Sequence, residues 1–147
     1  MLRLIDYLKE DNIIIVDNFK SKDEIFVFLA EKFSKITNVD KDILYEKFIE
    51  REKSLSTGIG HSIAIPHVFI EDLNDIYLLV IKSNKLINYN SIDKQPVFLI
   101  ISFVGGVNTS NKYLNLLSQI ITNIQTKNLL NSIFEAKTSK EIFNLLI

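Results

Sequence analysis

Three stretches of this chain are almost wholly apolar, with Ser102 the one polar residue inside them, and the segments between them carry apolar residues at helical spacing. Asn12-Ile13-Ile14-Ile15-Val16, Ile76–Ile81 and Val97–Val104 are short and rich in β-branched residues. That pattern predicts strands covered on both faces. Asp17-Asn18 closes the first and Gly105-Gly106 the third. Ser21-Lys22-Asp23-Glu24 has a capping-box pattern, in which Ser and Glu each satisfy a free end N–H. The helix it opens carries Ile25, Phe26, Phe28, Leu29 and Phe33 and should end near Lys35. Asp40 is the next N-cap candidate, for a helix to about Lys53. Residues 2–10 predict a short helix, and residues 82–96 read as loop. Asn108, Thr109 and Ser110 are N-cap candidates for a helix with Tyr113, Leu114, Leu117, Ile120, Ile121 and Ile124. Leu129, Leu130, Ile133 and Phe134 mark another helix, and Thr138-Ser139-Lys140-Glu141 caps a last one. Helices between buried strands predict an α/β fold with helices on both faces of a sheet. No linker or repeat divides residues 1–147, so one domain is expected.

The stretch from Arg51 to Val68 breaks this rhythm. Leu44, Phe48 and Arg51 lie along one line of the second helix, which places the arginine beside the core-facing stripe. Ser56-Thr57-Gly58-Ile59-Gly60 reads as a small polar turn, and residues 62–65 as a short apolar strand. Pro66 should end that strand, because it has no N–H for a ladder and its φ is fixed. His67 would then stand at a strand end in a rigid frame. A neutral imidazole, a guanidinium and a donor-rich loop suit the capture of a phosphoryl group. Arginine's planar fork fits phosphate better than a lysine ammonium does, and Thr57 is a further candidate donor.

Composition narrows the alternatives. The chain of 147 residues has a formal net charge of −1 and no basic block, which gives no electrostatic argument for nucleic acid. It has no cysteine, so disulfides, thiol catalysis and cysteine-ligated zinc are excluded. The N-terminus from Met1 to Glu10 alternates apolar and charged residues without a signal-peptide core. No apolar run approaches the roughly 20 residues of a membrane span. The cytoplasm is the expected location. The two histidines, His61 and His67, would lie about 20 Å apart on a straight strand and could not share one metal ion. No metal or other cofactor is expected. No Walker loop and no G-x-S-x-G pattern occurs. Gly105-Gly106 before a helix has two readings, an anion cradle or a turn that needs small residues.

At Arg51-Glu52, Ser56-Thr57-Gly58-Ile59-Gly60 and Ile63-Ala64-Ile65-Pro66-His67 the sequence resembles the enzyme IIA domain of the bacterial phosphoenolpyruvate-dependent sugar phosphotransferase system. The type is that of fructose and mannitol, shared by the nitrogen-regulatory IIA proteins. Asp93-Lys94-Gln95-Pro96-Val97 and Tyr113-Leu114-Asn115-Leu116-Leu117 extend the similarity over the whole chain. The resemblance implies a mixed sheet flanked by helices and a phosphoryl group accepted on His67, with Arg51 beside it. It implies HPr as donor and a sugar-specific enzyme IIB as acceptor, with a membrane involved only indirectly through a permease. Its regulatory branch implies instead a module that holds partner proteins according to its phosphorylation state. A relative that has lost phosphotransfer is the third reading. Many members carry a second histidine where Tyr113 stands here. A phenol can donate to phosphate but carries no positive charge near neutral pH, which leaves Arg51 and Lys112 as the expected sources of charge.

Overall fold

A computed structural model describes residues 2–147 of the chain; Met1, part of the N-terminal pattern above, lies outside them. One six-stranded mixed sheet runs through it. The strands are β1 (Ile13–Val16), β2 (Gly58–Gly60), β3 (Ile63–Ala64), β4 (His67–Ile70), β5 (Ile76–Ile87) and β6 (Val97–Gly106). Their order is β1-β5-β6-β3-β2, and β4 also pairs with β6. β5 and β6 are antiparallel, β1 runs parallel to β5, and β3 and β4 run parallel to β6.

The helices are α1 (Lys22–Thr37), α2 (Lys41–Ser54), α3 (Ser110–Thr126), α4 (Leu130–Glu135) and α5 (Ser139–Leu146). α1 and α2 cover one face of the sheet, around Phe26, Phe33, Phe48 and Ile81. α3, α4 and α5 cover the other, around Leu99, Ile101, Ile120 and Ile142. Apolar groups on both faces explain the apolar runs Ile76–Ile81 of β5 and Val97–Val104 of β6, the latter broken only by Ser102. The predicted α/β fold with helices on both faces is what the chain forms.

Local chemistry sets the helix ends. Ser21 Oγ accepts from Glu24 N at 3.1 Å, while the Glu24 carboxylate reaches Lys20 N, one residue outside the usual box. Asn38, with φ 64°, turns the chain out of α1 two residues beyond the expected end. Asp40 and Thr138 cap α2 and α5 as predicted. On α3 the buried stripe is Tyr113, Leu116, Ile120 and Ile124, whereas Leu114 points to solvent. Each fully buried aliphatic side chain is worth about 1.5–3 kcal/mol. That stripe therefore fixes the rotation of α3, and with it the direction of Tyr113.

Four expectations need correction. Residues 2–10 form no regular α-helix but a 3-10 turn at Leu4–Asp6, with a second at Glu10–Asn12. Residues 82–87 are strand, not loop. Lys82 and Ser83 are buried in β5, where Lys82 Nζ donates to Asn84 Oδ1 and to the Ala136 carbonyl, both at 2.9 Å. The partners of Lys82 thus include a carbonyl 54 residues away, which no local pattern reveals. Residues 58–60 are a short edge strand rather than a polar turn. Pro66 interrupts the strand before it, but the chain then resumes pairing with β6, so His67 opens β4 instead of ending β3. At Gly106 an added Cβ would lie 2.0 Å from the Leu73 carbonyl oxygen, and at Gly105 one would lie 2.3 Å from Thr109 Oγ1. Protein atoms already fill that space, which favours the packing reading over an anion cradle.

Candidate functional site

The break at Pro66 is held from behind. The Pro66 carbonyl accepts from Phe103 N at 3.2 Å and from the buried Ser102 hydroxyl at 2.8 Å. Ser102, the one polar residue in the apolar run of β6, thereby anchors the peptide unit that leads into His67. In β4, Val68 and Ile70 point into the core under α1 and α2. Phe69 points to the α3 side, as strand alternation requires.

The His67 ring is half-buried and constrained on one side. Its Nδ1 lies 2.8 Å from the Ile65 carbonyl oxygen, which can only accept, so Nδ1 carries the proton. The lone pair is then on Nε2. The Tyr113 ring stacks on the imidazole with centroids 4.5 Å apart and planes 26° from parallel. Its hydroxyl oxygen stands 3.2 Å from Nδ1. With the proton on Nδ1, that oxygen takes a second, longer branch of the N–H, and the phenol proton stays free to donate elsewhere. Phe103 and Phe69 meet the Tyr113 ring edge-on, at 5.0 and 5.9 Å. The phenol is thus locked by packing before any hydrogen bond is counted.

Arg51 stands in the last turn of α2 and lines an open groove of about 440 Å³ with Lys47, Glu50, Ser54, His67, Val68 and Phe69. Its Nη1 donates to the Leu55 carbonyl at 2.9 Å. Burial holds His67 below its ordinary pKa, and the nearby Arg51 charge pushes the same way against the Ile65 hydrogen bond. The imidazole is therefore neutral at pH 7, as a nucleophile must be. Burial raises the Tyr113 phenol to about 12, so it stays protonated.

The structure thus brings three of the residues singled out in the sequence, His67, Arg51 and Tyr113, to one place. The other two are committed elsewhere. Thr57, expected as a phosphate donor, is buried, and its hydroxyl donates to Glu52 Oε1 at 2.6 Å. Lys112, expected to supply charge, is held by Asp75 at 3.0 Å. His61 occupies the exposed turn between β2 and β3, with φ 55°. Sequence reasoning missed the Ile65 carbonyl and Ser102. The first is backbone and leaves no signal. The second was visible as a lone serine in an apolar run. Among the described residues, no cluster of three or more His, Cys, Asp or Glu side chains could hold a metal ion.

The family model for the phosphoenolpyruvate-dependent sugar phosphotransferase system, EIIA 2, matches residues 6–147. The chain belongs to this family. A nitrogen regulatory protein of Bradyrhizobium diazoefficiens is 23% identical over 143 residues, covering 97% of this chain and 94% of that one. The fructose-specific EIIABC component of Bacillus subtilis is 24% identical over 99% of this chain, which corresponds to 23% of that longer protein. Among solved structures, nitrogen regulatory protein IIA-Ntr from Neisseria meningitidis superposes with a TM-score of 0.89 at 23% identity, covering 99% of this chain and all of that one. IIA mannitol from Escherichia coli superposes with a TM-score of 0.79 at 18% identity, over 95% of this chain and 99% of that one. These superpositions establish the IIA fold, and membership of an EIIA family makes the chain a phosphotransfer component. Among the described residues, no helix is long and apolar enough to cross a membrane.

Proposed function

We propose that the protein is a phosphohistidine carrier that accepts a phosphoryl group from HPr on Nε2 of His67 and passes it to an enzyme IIB. The observation that carries this reading is the Nδ1–Ile65 contact, which leaves Nε2 as the free nitrogen of a neutral ring beside Arg51. The Nε2 lone pair attacks phosphorus in line. A new N–P bond forms as the bond to the donor's nitrogen breaks, and that nitrogen keeps the electron pair. Nδ1 retains its proton throughout. The phosphorylated ring is more positive than the free one, so its N–H donates more strongly to Ile65 as the reaction proceeds. That is stabilisation which grows along the reaction coordinate, the kind that accelerates it. Arg51 offers its remaining N–H groups to the phosphoryl oxygens. Tyr113 adds a neutral donor beside the ring.

The test is incubation with phosphoenolpyruvate, enzyme I and HPr while the intact mass is followed. Acid-labile phosphate should appear on the wild type and not on His67→Ala. No uptake from a cognate HPr overturns the reading.

The second reading is a regulator whose partners depend on phosphorylation. It is favoured by the match to a protein named nitrogen regulatory protein over 97% of this chain and 94% of that one. Transfer of the phosphoryl group onward to a IIB domain separates the two, because a dedicated regulator retains it.

A further inference from the structure

Arg51 works only if its guanidinium waits in the groove instead of pairing with a neighbouring carboxylate. Glu50 and Glu52 flank it in sequence, and either carboxylate could compete for it. Yet the Glu52 carboxylate is largely buried, with 9% of its side chain exposed, and Lys22 Nζ of α1 holds its Oε2 at 2.6 Å. Its remaining capacity is filled by Thr57, whose N lies 3.0 Å from Oε1 and 3.2 Å from Oε2, and whose hydroxyl donates to Oε1. Because that hydroxyl spends its proton on Glu52, it must be the acceptor from Tyr89 Oη, 2.7 Å away. Tyr89 is fully buried, and burial keeps its phenol protonated, which suits a donor. The direction of the chain is therefore fixed, from Tyr89 through Thr57 to Glu52. Lys22 also sits over the Tyr89 ring, 4.5 Å from its centroid.

This knot closes a six-residue loop from Glu52 to Thr57. Inside the loop is Leu55, and its carbonyl is the one that Arg51 Nη1 grips. Among the described residues no carboxylate pairs with Arg51. We infer that Glu52, Thr57, Tyr89 and Lys22 form a positioning clamp for Arg51, which holds the Leu55 carbonyl as its anchor and keeps Glu52 from neutralising it. None of the four touches the reacting atoms; each acts through Arg51. The kinetic half of the inference rests on the phosphocarrier reading, and the ordering of Arg51 does not.

The experiment labels arginine with 15N and follows the guanidinium signals of Arg51, assigned by their loss in Arg51→Ala. In the wild type and in Thr57→Ser they should report a side chain held in place. In Thr57→Val, which keeps the shape and removes the hydroxyl, they should report free rotation. If Thr57→Val does not fold, Tyr89→Phe removes only the outer hydrogen bond and should loosen Arg51 in the same direction. With phosphorylated HPr as donor, Thr57→Val should slow uptake about tenfold, the scale expected when a reacting group is misplaced by less than 1 Å. Thr57→Ser should restore it. In an Arg51→Ala background Thr57→Val should cost nothing further. Arg51 signals that are already mobile in the wild type, or unchanged in the folded variant, overturn the clamp. So does an equal loss of rate in both backgrounds. If the wild type accepts no phosphate, the carrier reading fails, and the guanidinium signals alone decide the clamp.

Discussion

His61 and His67 are six residues apart, and the fold treats the two rings in opposite ways. His61 sits in an exposed turn next to Ser62, both in the left-handed region with φ 55° and 65°. His67 opens a strand, its Nδ1 occupied by a backbone carbonyl, one ring face on Tyr113 and an arginine nearby. The side chain is the same in both places. What differs is a carbonyl that chooses the tautomer, burial that keeps the ring neutral, and an arginine that, among the described residues, pairs with no carboxylate. The difference between the two imidazoles thus lies in the surroundings that β4, α2 and α3 supply together.

The largest contrast is expected from substitution of the two histidines themselves. His67→Ala should abolish acid-labile phosphate, and His61→Ala should leave the rate of uptake within about twofold, as befits an exposed turn position. Measuring both by intact mass in one assay breaks the comparison if His61 matters. Next comes Arg51→Ala, which removes the guanidinium that lines the groove with His67. A loss of about 10²–10³-fold in phosphorylation rate is expected from the removal of one preorganised charge-stabilising group. Arg51→Lys should recover only part of it, because the fork is lost. The third effect is on pH. Protonation removes the Nε2 lone pair, so uptake should be flat above the ordinary histidine pKa of 6.5 and fall only at lower pH, since the folded value is depressed. The same depression gives a stability contribution that is present above the unfolded value and lost as pH falls through the folded one. His67→Ala should remove that acid sensitivity, which thermal melting across pH can show. The smallest effect is that of Tyr113→Phe. It keeps the stacking and deletes one neutral hydrogen bond, worth about 0.5–1.5 kcal/mol, or a loss of roughly two- to tenfold in rate.

Much of this architecture is legible in local chemistry, and the parts that are not share a cause. Ser21, Asp40 and Thr138 announce their helices because a cap is a contact within four residues. The apolar runs announce β1, β5 and β6. The far half of β5 is hidden, because Lys82 looks like a surface residue until Ala136 arrives from another element. The site divides in the same way. His67 is marked by Pro66 and Arg51 by its place after Leu44 and Phe48, both readable along the chain. Thr57 and Lys112 carry the right groups for phosphate, but Glu52 and Asp75 claim them across space. Which of several plausible donors remains free is a tertiary fact. The anchoring of the Pro66 peptide by Ser102, 36 residues away, is another.

The central claim is that the Ile65 carbonyl assigns the tautomer of His67 and so presents Nε2 for phosphorylation. Long-range 1H–15N correlation of the imidazoles, recorded before and after incubation with phosphoenolpyruvate, enzyme I and HPr, tests it directly. Before phosphorylation His67 should show the proton on Nδ1, and afterwards phosphorus on Nε2 of that residue alone. A starting proton on Nε2, or phosphorus on Nδ1 or on His61, would contradict the account.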